Sequence, residues 1–453
     1  MLSDVIAALA TPPGRSAIAV VRVSGDEALA LVGRIVAPLA GRDSGVNWLR
    51  GVPARTAVLA RFLDSSGNQI DEGLLTVFPA PHSYTGEDLV ELSCHGGLLA
   101  PAQLLTALHA AGARSAAPGE FTRRALLNGK LDLLQAEAVG DLIEATAPAQ
   151  GRAALFQLEG GLSQRLLALR EELLELLSLL VYEIDFPEED DGPVPVERIR
   201  DRLERTAAQI SRLLATAPAG ERLREGALVV LAGRPNAGKS SLFNALLGTS
   251  RALVTEIPGT TRDTIEASSE VHGWPVRLAD TAGLREAGER LEQLGIEVSR
   301  RYVAAADLLL LCVEAGRMLA AEERELLDQH PALLVRTKAD LVPIAERESE
   351  DGIAVSTITG EGLDRLREGI AKRLFSEGEG YAELAPMLTR ERHRVALTRA
   401  GDALDAARLE LGRDAVLVAH QLRSAVSALE ELIGVVHPDE VLGRVFERFC
   451  VGK

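Results

Sequence analysis

The first residues whose types and spacing could do chemistry lie at positions 233–240, which read GRPNAGKS. They fit the pattern G-x-x-x-x-G-K-S, follow an apolar run at 227–232, and lead into a predicted helix over 241–247. Glycines let a backbone wrap a phosphate, and the N–H groups at the start of a helix face it. Lys239 can neutralise charge on the β- and γ-phosphates, while the Ser240 hydroxyl can bind Mg²⁺. The pattern therefore predicts a phosphate-binding loop.

An acidic motif follows the predicted strand at 276–279 and reads Asp280-Thr281-Ala282-Gly283. Downstream of a phosphate loop, D-x-x-G supplies a carboxylate near Mg²⁺ and a glycine N–H that senses the γ-phosphate. Between the two motifs lies the segment Pro258-Gly259-Thr260-Thr261-Arg262-Asp263, in which a threonine can close over Mg²⁺ and the γ-phosphate. The order of these motifs predicts a nucleoside triphosphatase with a switch segment.

The base-reading motif is Thr337-Lys338-Ala339-Asp340, which follows the predicted strand at 332–336. A carboxylate here accepts hydrogen bonds from the N1–H and N2–H₂ of guanine, which adenine cannot donate, so Asp340 selects GTP over ATP. Asn is usual at the first position, and Thr337 loses one of the two amide groups, which predicts modestly weaker base binding. Ser356-Thr357-Ile358 matches the loop whose backbone supports the base edge.

Two further positions bear on hydrolysis. Leu284 stands where Ras-like GTPases have the glutamine that orients water, so another polar group must act. The side-chain carbonyl of Asn236 could bind a monovalent cation beside the phosphates, which would stabilise the charge that develops between them.

The composition limits the class of protein. The chain has 453 residues, 47% of them hydrophobic and 3% aromatic, so two or three domains are expected. Its formal net charge of −17 argues against a protein that coats nucleic acid through a global positive field. Cys94, Cys312 and Cys450 have no metal-ligand or redox spacing. We find no basic leader with an apolar run and no apolar stretch long enough for a membrane span, and we expect a cytoplasmic protein with reduced thiols.

The chain shows three kinds of hydrophobic pattern, and these predict its domains. Strand-like runs (17–23, 56–63, 73–78, 89–93) and a helix at 98–111 mark residues 1–118, and helical patterns dominate 119–218, with long helices at 162–184 and 196–215. Strands and helices alternate over 219–376, and a helical pattern of apolar residues resumes over 377–453. This predicts a multidomain α/β + α protein: an N-terminal α+β domain, a helical domain in two parts, and an inserted Ras-like P-loop domain with a mostly parallel sheet.

With these residues in place, nearly the whole chain resembles the MnmE (TrmE) family of tRNA wobble-uridine-modifying GTPases. The likeness lies in segments outside the phosphate site, which a generic GTPase would not match: residues 10–15 (ATPPGR), 84–88 (YTGED), 118–122 (PGEFT), 128–133 (NGKLDL) and 449–453 (FCVGK).

The resemblance implies that residues 1–118 bind tetrahydrofolate and dimerise. The folate-contacting residues would be Arg22, Glu87, Lys130 and Lys453, which suits a ligand with an anionic glutamate tail and a pterin that donates hydrogen bonds. The folate would be 5-formyl- or methylene-tetrahydrofolate. Cys450 matches the terminal Cys of the family, and a chemical role and a packing role both stay open for it.

The resemblance also implies the metal ligands and the catalytic residues. K⁺ would be held by Asn236, Thr255, Ile257 (backbone carbonyl) and Thr260, and Mg²⁺ by Ser240 and Thr261. Glu292 would orient the attacking water, with Lys239 and Thr261 as the other catalytic residues. The expected nucleotide-binding residues are Asn236, Ala237, Gly238, Lys239, Ser240, Ser241, Thr255, Glu256, Ile257, Pro258, Gly259, Thr260, Thr261, Asp280, Thr281, Ala282, Gly283, Thr337, Lys338, Ala339, Asp340, Ser356, Thr357 and Ile358.

Family members pair their G domains across a homodimer in the GTP state, and K⁺ promotes that pairing. The implied partner is MnmG, a flavoprotein, in a heterotetramer that adds an aminomethyl or carboxymethylaminomethyl group to C5 of the wobble uridine. Three alternatives stay open: a ribosome-assembly GTPase, which the absence of a basic RNA-binding flank disfavours, a folate-dependent one-carbon enzyme regulated by GTP, and a scaffold GTPase whose dimerisation reshapes a helical body.

Overall fold

The structure is a computed structural model that describes residues 4–39, 45–185 (backbone only at 183–185), 195–248, 266–280, 301–344, 351–375, 386–434, 445–446 and 449–452. The chain divides into two compact units, Met1–Gly140 with Ile433–Lys453, and Asp141–Leu432. The domain boundaries expected after residues 118, 218 and 376 stay a prediction.

The first unit is built on a seven-stranded sheet. In chain order its strands are β1 (Ile6–Leu9), β2 (Ile18–Ser24), β3 (Val36–Pro38), β4 (Val58–Leu63), β5 (Gln69–Phe78), β6 (Leu89–His95) and β7 (Arg114–Ser115). They lie in the order β3-β4-β5-β6-β2-β1-β7, and all neighbours are antiparallel except β1 and β7. In the β2–β6 pair Arg22 lies directly opposite Glu91.

One face of this sheet packs on helices. The described helices that lie wholly within the unit are α1 (Ala28–Val32), α2 (Val46–Gly51), α3 (Leu99–Ala111) and α4 (Glu120–Leu127). Period-two alternation along the strands places residues such as Val21, Phe62 and Leu92 in the core, where they pack with Leu104 of α3. Helix α3 ends at Gly112, whose φ of 116° is the left-handed conformation that glycine adopts without strain.

The helices that follow are α5 (Leu133–Glu144), α6 (Pro148–Leu158), α7 (Gly161–Asp185), α8 (Val196–Ala215) and α9 (Ala217–Glu225), and the last two helices of the chain are α13 (Glu391–Glu410) and α14 (Ala415–Ile433). The apolar stripe of α7 is buried because leucines recur on one face, at positions 162, 166, 169, 173, 176 and 180. Helix α8 packs against α13 with a narrower stripe that includes Ile199, Leu203 and Ile210.

A six-stranded sheet forms the α/β part of the second unit. Its strands are β8 (Ala227–Ala232), β9 (Glu266–Val271), β10 (Trp274–Asp280), β11 (Leu308–Glu314), β12 (Ala332–Thr337) and β13 (Ile353–Ala354), and its described helices are α10 (Lys239–Leu247), α11 (Ala321–Gln329) and α12 (Leu363–Phe375), with a 3₁₀ turn at Ala339–Leu341. The order is β13-β12-β11-β8-β10-β9, parallel except for the β9–β10 pair.

Both faces of this sheet are covered. The odd-numbered residues of β8 face one apolar cluster and the even-numbered residues face another, so all six side chains are buried. An uninterrupted apolar strand is what a parallel sheet with helices on both faces requires. The predicted fold class, a multidomain α/β + α chain with a mostly parallel inserted sheet, is confirmed. None of the described helices is long and apolar enough to cross a membrane.

Candidate nucleotide site and candidate folate site

The phosphate loop connects the end of β8 to the start of α10. Three of its residues have positive φ angles, Gly233 at 143°, Asn236 at 62° and Gly238 at 80°, and together they curl the backbone around the Lys239 side chain. The ammonium of Lys239 is buried and donates hydrogen bonds to the carbonyls of Gly233 (3.0 Å) and Arg234 (2.8 Å). The charge that would meet a β- or γ-phosphate therefore lies inside the curl of the loop.

Gly233 shows why the first glycine of the motif is needed. Its φ is 143°, and a Cβ at this position would lie 2.3 Å from the carbonyl oxygen of Cys312 on the neighbouring strand. Only glycine lets the loop leave the sheet so close to β11. Burial raises the pKa of the Cys312 thiol to about 12, so this cysteine packs as an unreactive apolar group.

The two groups expected near Mg²⁺ lie in contact. Asp280 ends β10, where the register pairs it with Leu231 next to the phosphate loop. The Ser240 hydroxyl donates a hydrogen bond to Asp280 Oδ2 over 2.7 Å. A hydroxyl and a carboxylate at this spacing form the hard oxygen set that suits Mg²⁺.

The base-reading loop contacts the phosphate loop and the following loop. Thr337 donates from Oγ1 to the carbonyl of Ala237 over 2.8 Å, and both residues are buried. Ser356 donates from Oγ to Asp340 Oδ1 over 2.7 Å. Its own oxygen accepts from the amides of Ile358 and Thr359. The carboxylate expected to read guanine is thus held in one orientation by a buried hydroxyl.

Two acidic residues of this region were not predicted from the sequence. Glu314, at the end of β11, pairs with Lys338, whose φ of 55° turns it toward that strand. Glu323 caps α11 by accepting from the Ala320 amide, and it also pairs with Arg317 and with Arg234 of the phosphate loop. The only sequence signal for Glu314 is its place at the carboxyl end of an apolar run, and Glu323 carries a helix N-terminal signal that does not reveal its arginine partners.

Several expected site residues lie outside the described residues, and the structure gives no geometry for them. They are Thr255, Glu256, Ile257, Pro258, Gly259, Thr260, Thr261, Thr281, Ala282, Gly283, Leu284, Glu292 and Lys453.

In the first unit, the structure gathers Arg22, Glu87 and Lys130 around the loop between β5 and β6. The Arg22 guanidinium pairs with Glu91, donates to the Gly452 carbonyl (3.3 Å), and lies 5.7 Å from the ring centroids of both Tyr84 and Phe121. Lys130 donates from Nζ to the Pro81 carbonyl at the start of the same loop.

Glu87 belongs to a buried network of charged and polar groups. Its carboxylate accepts from the Ser24 hydroxyl (2.9 Å) and from Nη1 of Arg124 (3.1 and 3.2 Å). Arg124 is 1% exposed and also pairs with Asp4 and Glu120. Burial opposes ionisation of Glu120, but hydrogen bonds from Arg114, the Ala117 amide and Arg124 hold its pKa below the usual range.

The helices of the second unit contact the nucleotide-binding part through β10. Trp274, at the start of that strand, stacks on Phe375 with ring centroids 4.6 Å apart and lies in an apolar cluster with Ala149, Leu223 and Met387. The Ala149 amide of α6 donates to the carbonyl of Gly273 over 3.0 Å. Strand β10 thus has Asp280 at one end and a helix contact at the other.

The fold and the site define a P-loop guanine-nucleotide-binding protein. A family model of the MnmE helical domain matches residues 133–450, and a model of the GTP-binding protein TrmE N-terminus matches residues 5–130. The tRNA modification GTPase MnmE of Moorella thermoacetica is 43% identical over 469 residues, covering 100% of each chain, and that of Azoarcus sp. is 44% identical over 460 residues, covering 99% of this chain and 98% of the relative.

The chain therefore belongs to the MnmE family of tRNA modification GTPases, and it is a GTP hydrolase that acts in tRNA modification. Among solved structures it is similar to the G domain of T. maritima FeoB (29% identity, 32% of this chain and 98% of that chain, TM-score 0.24). It is also similar to an Era variant of Aquifex aeolicus bound to GDP·AlF₄⁻ (24% identity, 39% and 66%, TM-score 0.27).

Proposed function

We propose that this protein is a potassium-activated GTPase that works with a flavoprotein of the MnmG type. Together they add an aminomethyl or carboxymethylaminomethyl group to C5 of the wobble uridine of certain tRNAs, with a tetrahydrofolate one-carbon unit. The observation that carries the GTP-dependent part is the contact between the Ser240 hydroxyl and Asp280, 2.7 Å apart, beside the buried ammonium of Lys239.

In this proposal the nucleotide site works through fixed charges and dipoles. Lys239 neutralises the β- and γ-phosphates, and the N-terminal amides of α10 face them. Ser240 and Thr261 hold Mg²⁺, which would supply positive charge to the phosphate oxygens when bound. Asp340, held by Ser356, accepts the N1–H and N2–H₂ of guanine, and Thr357, Ile358, Lys338 and Ala339 complete the base pocket.

Potassium and the catalytic water concern residues of the switch segment. Asn236 has an exposed side chain at a positive-φ position of the phosphate loop, which suits a carbonyl ligand to a monovalent cation. The other ligands would be Thr255, Ile257 and Thr260, and Glu292 would orient the water in place of a glutamine. K⁺ would add positive charge beside the phosphates and promote pairing of two G domains.

The folate would bind to the first unit. Arg22 and Lys130 would meet its anionic tail, Glu87 would accept from its pterin, and Lys453 would complete the site. The fit is supported by the cations gathered around the β5–β6 loop and by one oxygen of Glu87, Oε1, which accepts a single bond among the described residues.

We further propose the domain boundaries 1–118, 119–218, 219–376 and 377–453, a homodimer formed through the first domain, a heterotetramer with the flavoprotein, and a cytoplasmic location.

The test is reconstitution with purified components. Undermodified tRNA is incubated with this chain, the flavoprotein, GTP, K⁺, methylene-tetrahydrofolate and an amine donor, and one component is omitted from each parallel reaction. We expect modified uridine by mass spectrometry only in the complete mixture. Full modification without GTP, or without this chain, would contradict the proposal.

A further inference from the structure

We propose that Glu323 is a positioning residue for the phosphate loop, where it holds the Arg234 side chain and through it the carbonyl that binds Lys239. This inference rests on the role proposed above for Lys239 at the β- and γ-phosphates. Glu323 lies in the first turn of α11, outside every motif expected to touch the nucleotide, and it acts through Arg234.

A chain of contacts leads from Glu323 to the lysine of the loop. Nε of Arg234 lies 3.6 Å from Oε1 of Glu323, within ion-pair distance. The backbone carbonyl of the same arginine accepts a hydrogen bond from Nζ of Lys239 over 2.8 Å. A guanidinium that is held on α11 therefore limits the movement of the peptide group that fixes the ammonium.

Glu323 is itself held firmly enough to act as an anchor. Its side chain is 6% exposed, and its Oε2 accepts from the Ala320 amide over 2.9 Å at the start of α11. Its Oε1 also pairs with Arg317, whose carbonyl accepts from Nη1 of Arg336 on β12 over 2.7 Å. Burial opposes ionisation of Glu323, but the Ala320 amide and Arg317 hold its pKa below the usual range, so it is an anion at neutral pH.

A purely structural role for Glu323 would be to cap α11. A glutamine at this position can also accept from the Ala320 amide, because its side chain keeps a carbonyl oxygen. Glu323→Gln therefore keeps the helix cap and removes the charge that holds Arg234. This substitution separates the two roles.

The sign of the effect separates positioning from simple electrostatics. Glu323 is an anion near the proposed site of an anionic nucleotide, so Coulomb repulsion alone predicts that its loss slows nucleotide release. Positioning predicts faster release, because an unheld Arg234 leaves the loop more conformations to lose when a phosphate binds. Glu322, in the same first turn of α11, has an exposed side chain and provides the matched control for loss of one negative charge.

The experiment measures the rate at which a fluorescent GDP analogue dissociates from the full-length protein, by stopped flow with Mg²⁺ present. The variants are Glu323→Gln, Arg234→Met, which keeps an unbranched side chain without its charge, and the double variant. Glu322→Gln is the control, and Arg234→Lys tests rescue by a second cation. The ³¹P resonance of the bound β-phosphate reports the surroundings of that phosphate, and the thermal-unfolding midpoint without nucleotide reports the fold.

We expect Glu323→Gln and Arg234→Met each to speed GDP release about fivefold, the upper range for a partly exposed ion pair, and to shift the β-phosphate resonance. The double variant should release GDP within about twofold of the faster single variant, since the effect passes through Arg234. Glu322→Gln should stay within about twofold of the unaltered chain. Arg234→Lys should restore most of the slow release.

Unchanged or slower release by Glu323→Gln, or multiplied effects in the double variant, would overturn the inference and leave the phosphate role of Lys239 intact. An equal gain in rate from Glu322→Gln would overturn it as well, because that residue does not contact the loop through Arg234. GDP binding by Lys239→Ala with the affinity of the unaltered chain would overturn both the inference and the role of Lys239.

Discussion

Thr337 donates a hydrogen bond from Oγ1 to the carbonyl oxygen of Ala237, and the distance between the two atoms is 2.8 Å. The bond joins the base-reading loop to the phosphate loop across two buried residues. Thr337, which stands where Asn is usual, therefore still links the two loops that hold a nucleotide, and it does so through its hydroxyl alone.

The first prediction concerns this bond. Thr337→Val keeps the shape and removes the hydroxyl, which leaves the Ala237 carbonyl without that partner at a cost of about 1–3 kcal/mol. We expect GDP and GTP affinity, measured with a fluorescent analogue, to fall about tenfold or more. Thr337→Ser restores the hydroxyl and should bind like the unaltered chain. Equal affinity in the Val and Ser variants would show that the bond does not support the site.

The second prediction concerns the monovalent cation. If Asn236 binds K⁺ with the segment Thr255–Thr260, the GTPase rate is higher in KCl than in NaCl of equal ionic strength. Asn236→Ala should remove most of this difference, so that the ratio of the KCl rate to the NaCl rate falls toward one. Steady-state phosphate release measures both. Equal rates of the unaltered chain in the two salts would exclude the potassium site.

The third prediction concerns the attacking water. Glu292→Ala should lower kcat about 10²-fold or more, the scale of losing one acid–base or orienting group. GTP affinity should change little, because the residue acts on water and not on the nucleotide. Single-turnover hydrolysis and equilibrium binding separate the two quantities. A variant with full turnover would remove Glu292 from the mechanism.

The fourth prediction concerns the contact between β10 and the helices. Trp274→Ala removes the ring that stacks on Phe375 and opens the apolar cluster, at a cost of about 3 kcal/mol. The Ala149 amide, bonded to Gly273, should then exchange with deuterium faster. Trp274→Phe keeps an aromatic ring and serves as the control. Unchanged exchange in the Ala variant would mean that Trp274 does not stabilise this contact.

The fifth prediction concerns pH. Hydrogen bonds from Arg114 and Arg124 outweigh burial and lower the pKa of Glu120, so the folded chain binds fewer protons than the unfolded chain. The stability that this shift contributes is fully present at a pH above the pKa of Glu120 in the unfolded chain, about 4.5. It is lost as the pH falls through the lower pKa of Glu120 in the folded chain. Glu120→Gln should flatten the acid side of a plot of unfolding midpoint against pH. The pKa of Asp4 is also lowered, by the Arg114 bond first, so some acid dependence remains. An equal dependence of the unfolding midpoint on acid pH in Glu120→Gln and in the unaltered chain would contradict this account.

Much of the fold follows from local pattern. The apolar run at 227–232 and the leucine-rich segment at 162–184 predicted the bounds of β8 and α7 almost to the residue. A strand that is buried on both faces, or a helix that is buried along one stripe, needs apolar residues at fixed spacing, and that spacing can be seen in the sequence. Strands β1 and β9 were not predicted. β1 is a four-residue run, IAAL, and β9 reads EASSEV, whose strand state depends on pairing with β10.

The site was predictable where a motif fixes residues in a row and not where tertiary contacts join distant segments. The phosphate loop and Asp280 were found by spacing. Glu314, Glu91 and Arg124 were not, because each meets its partner through strand register or helix packing far along the chain. The same limit applies to Ser356, which was expected to act through its backbone and whose hydroxyl also holds Asp340.

The most direct test of the central claim is mass spectrometry of tRNA nucleosides from cells that lack this gene, complemented with the unaltered gene or with Asp280→Ala. We expect C5-aminomethyl-type wobble uridines to disappear, to return with the unaltered gene, and to stay absent with the variant, because Asp280 bonds Ser240 at the nucleotide site. Unchanged nucleosides in the deleted strain would contradict the claim that this GTPase modifies the wobble uridine.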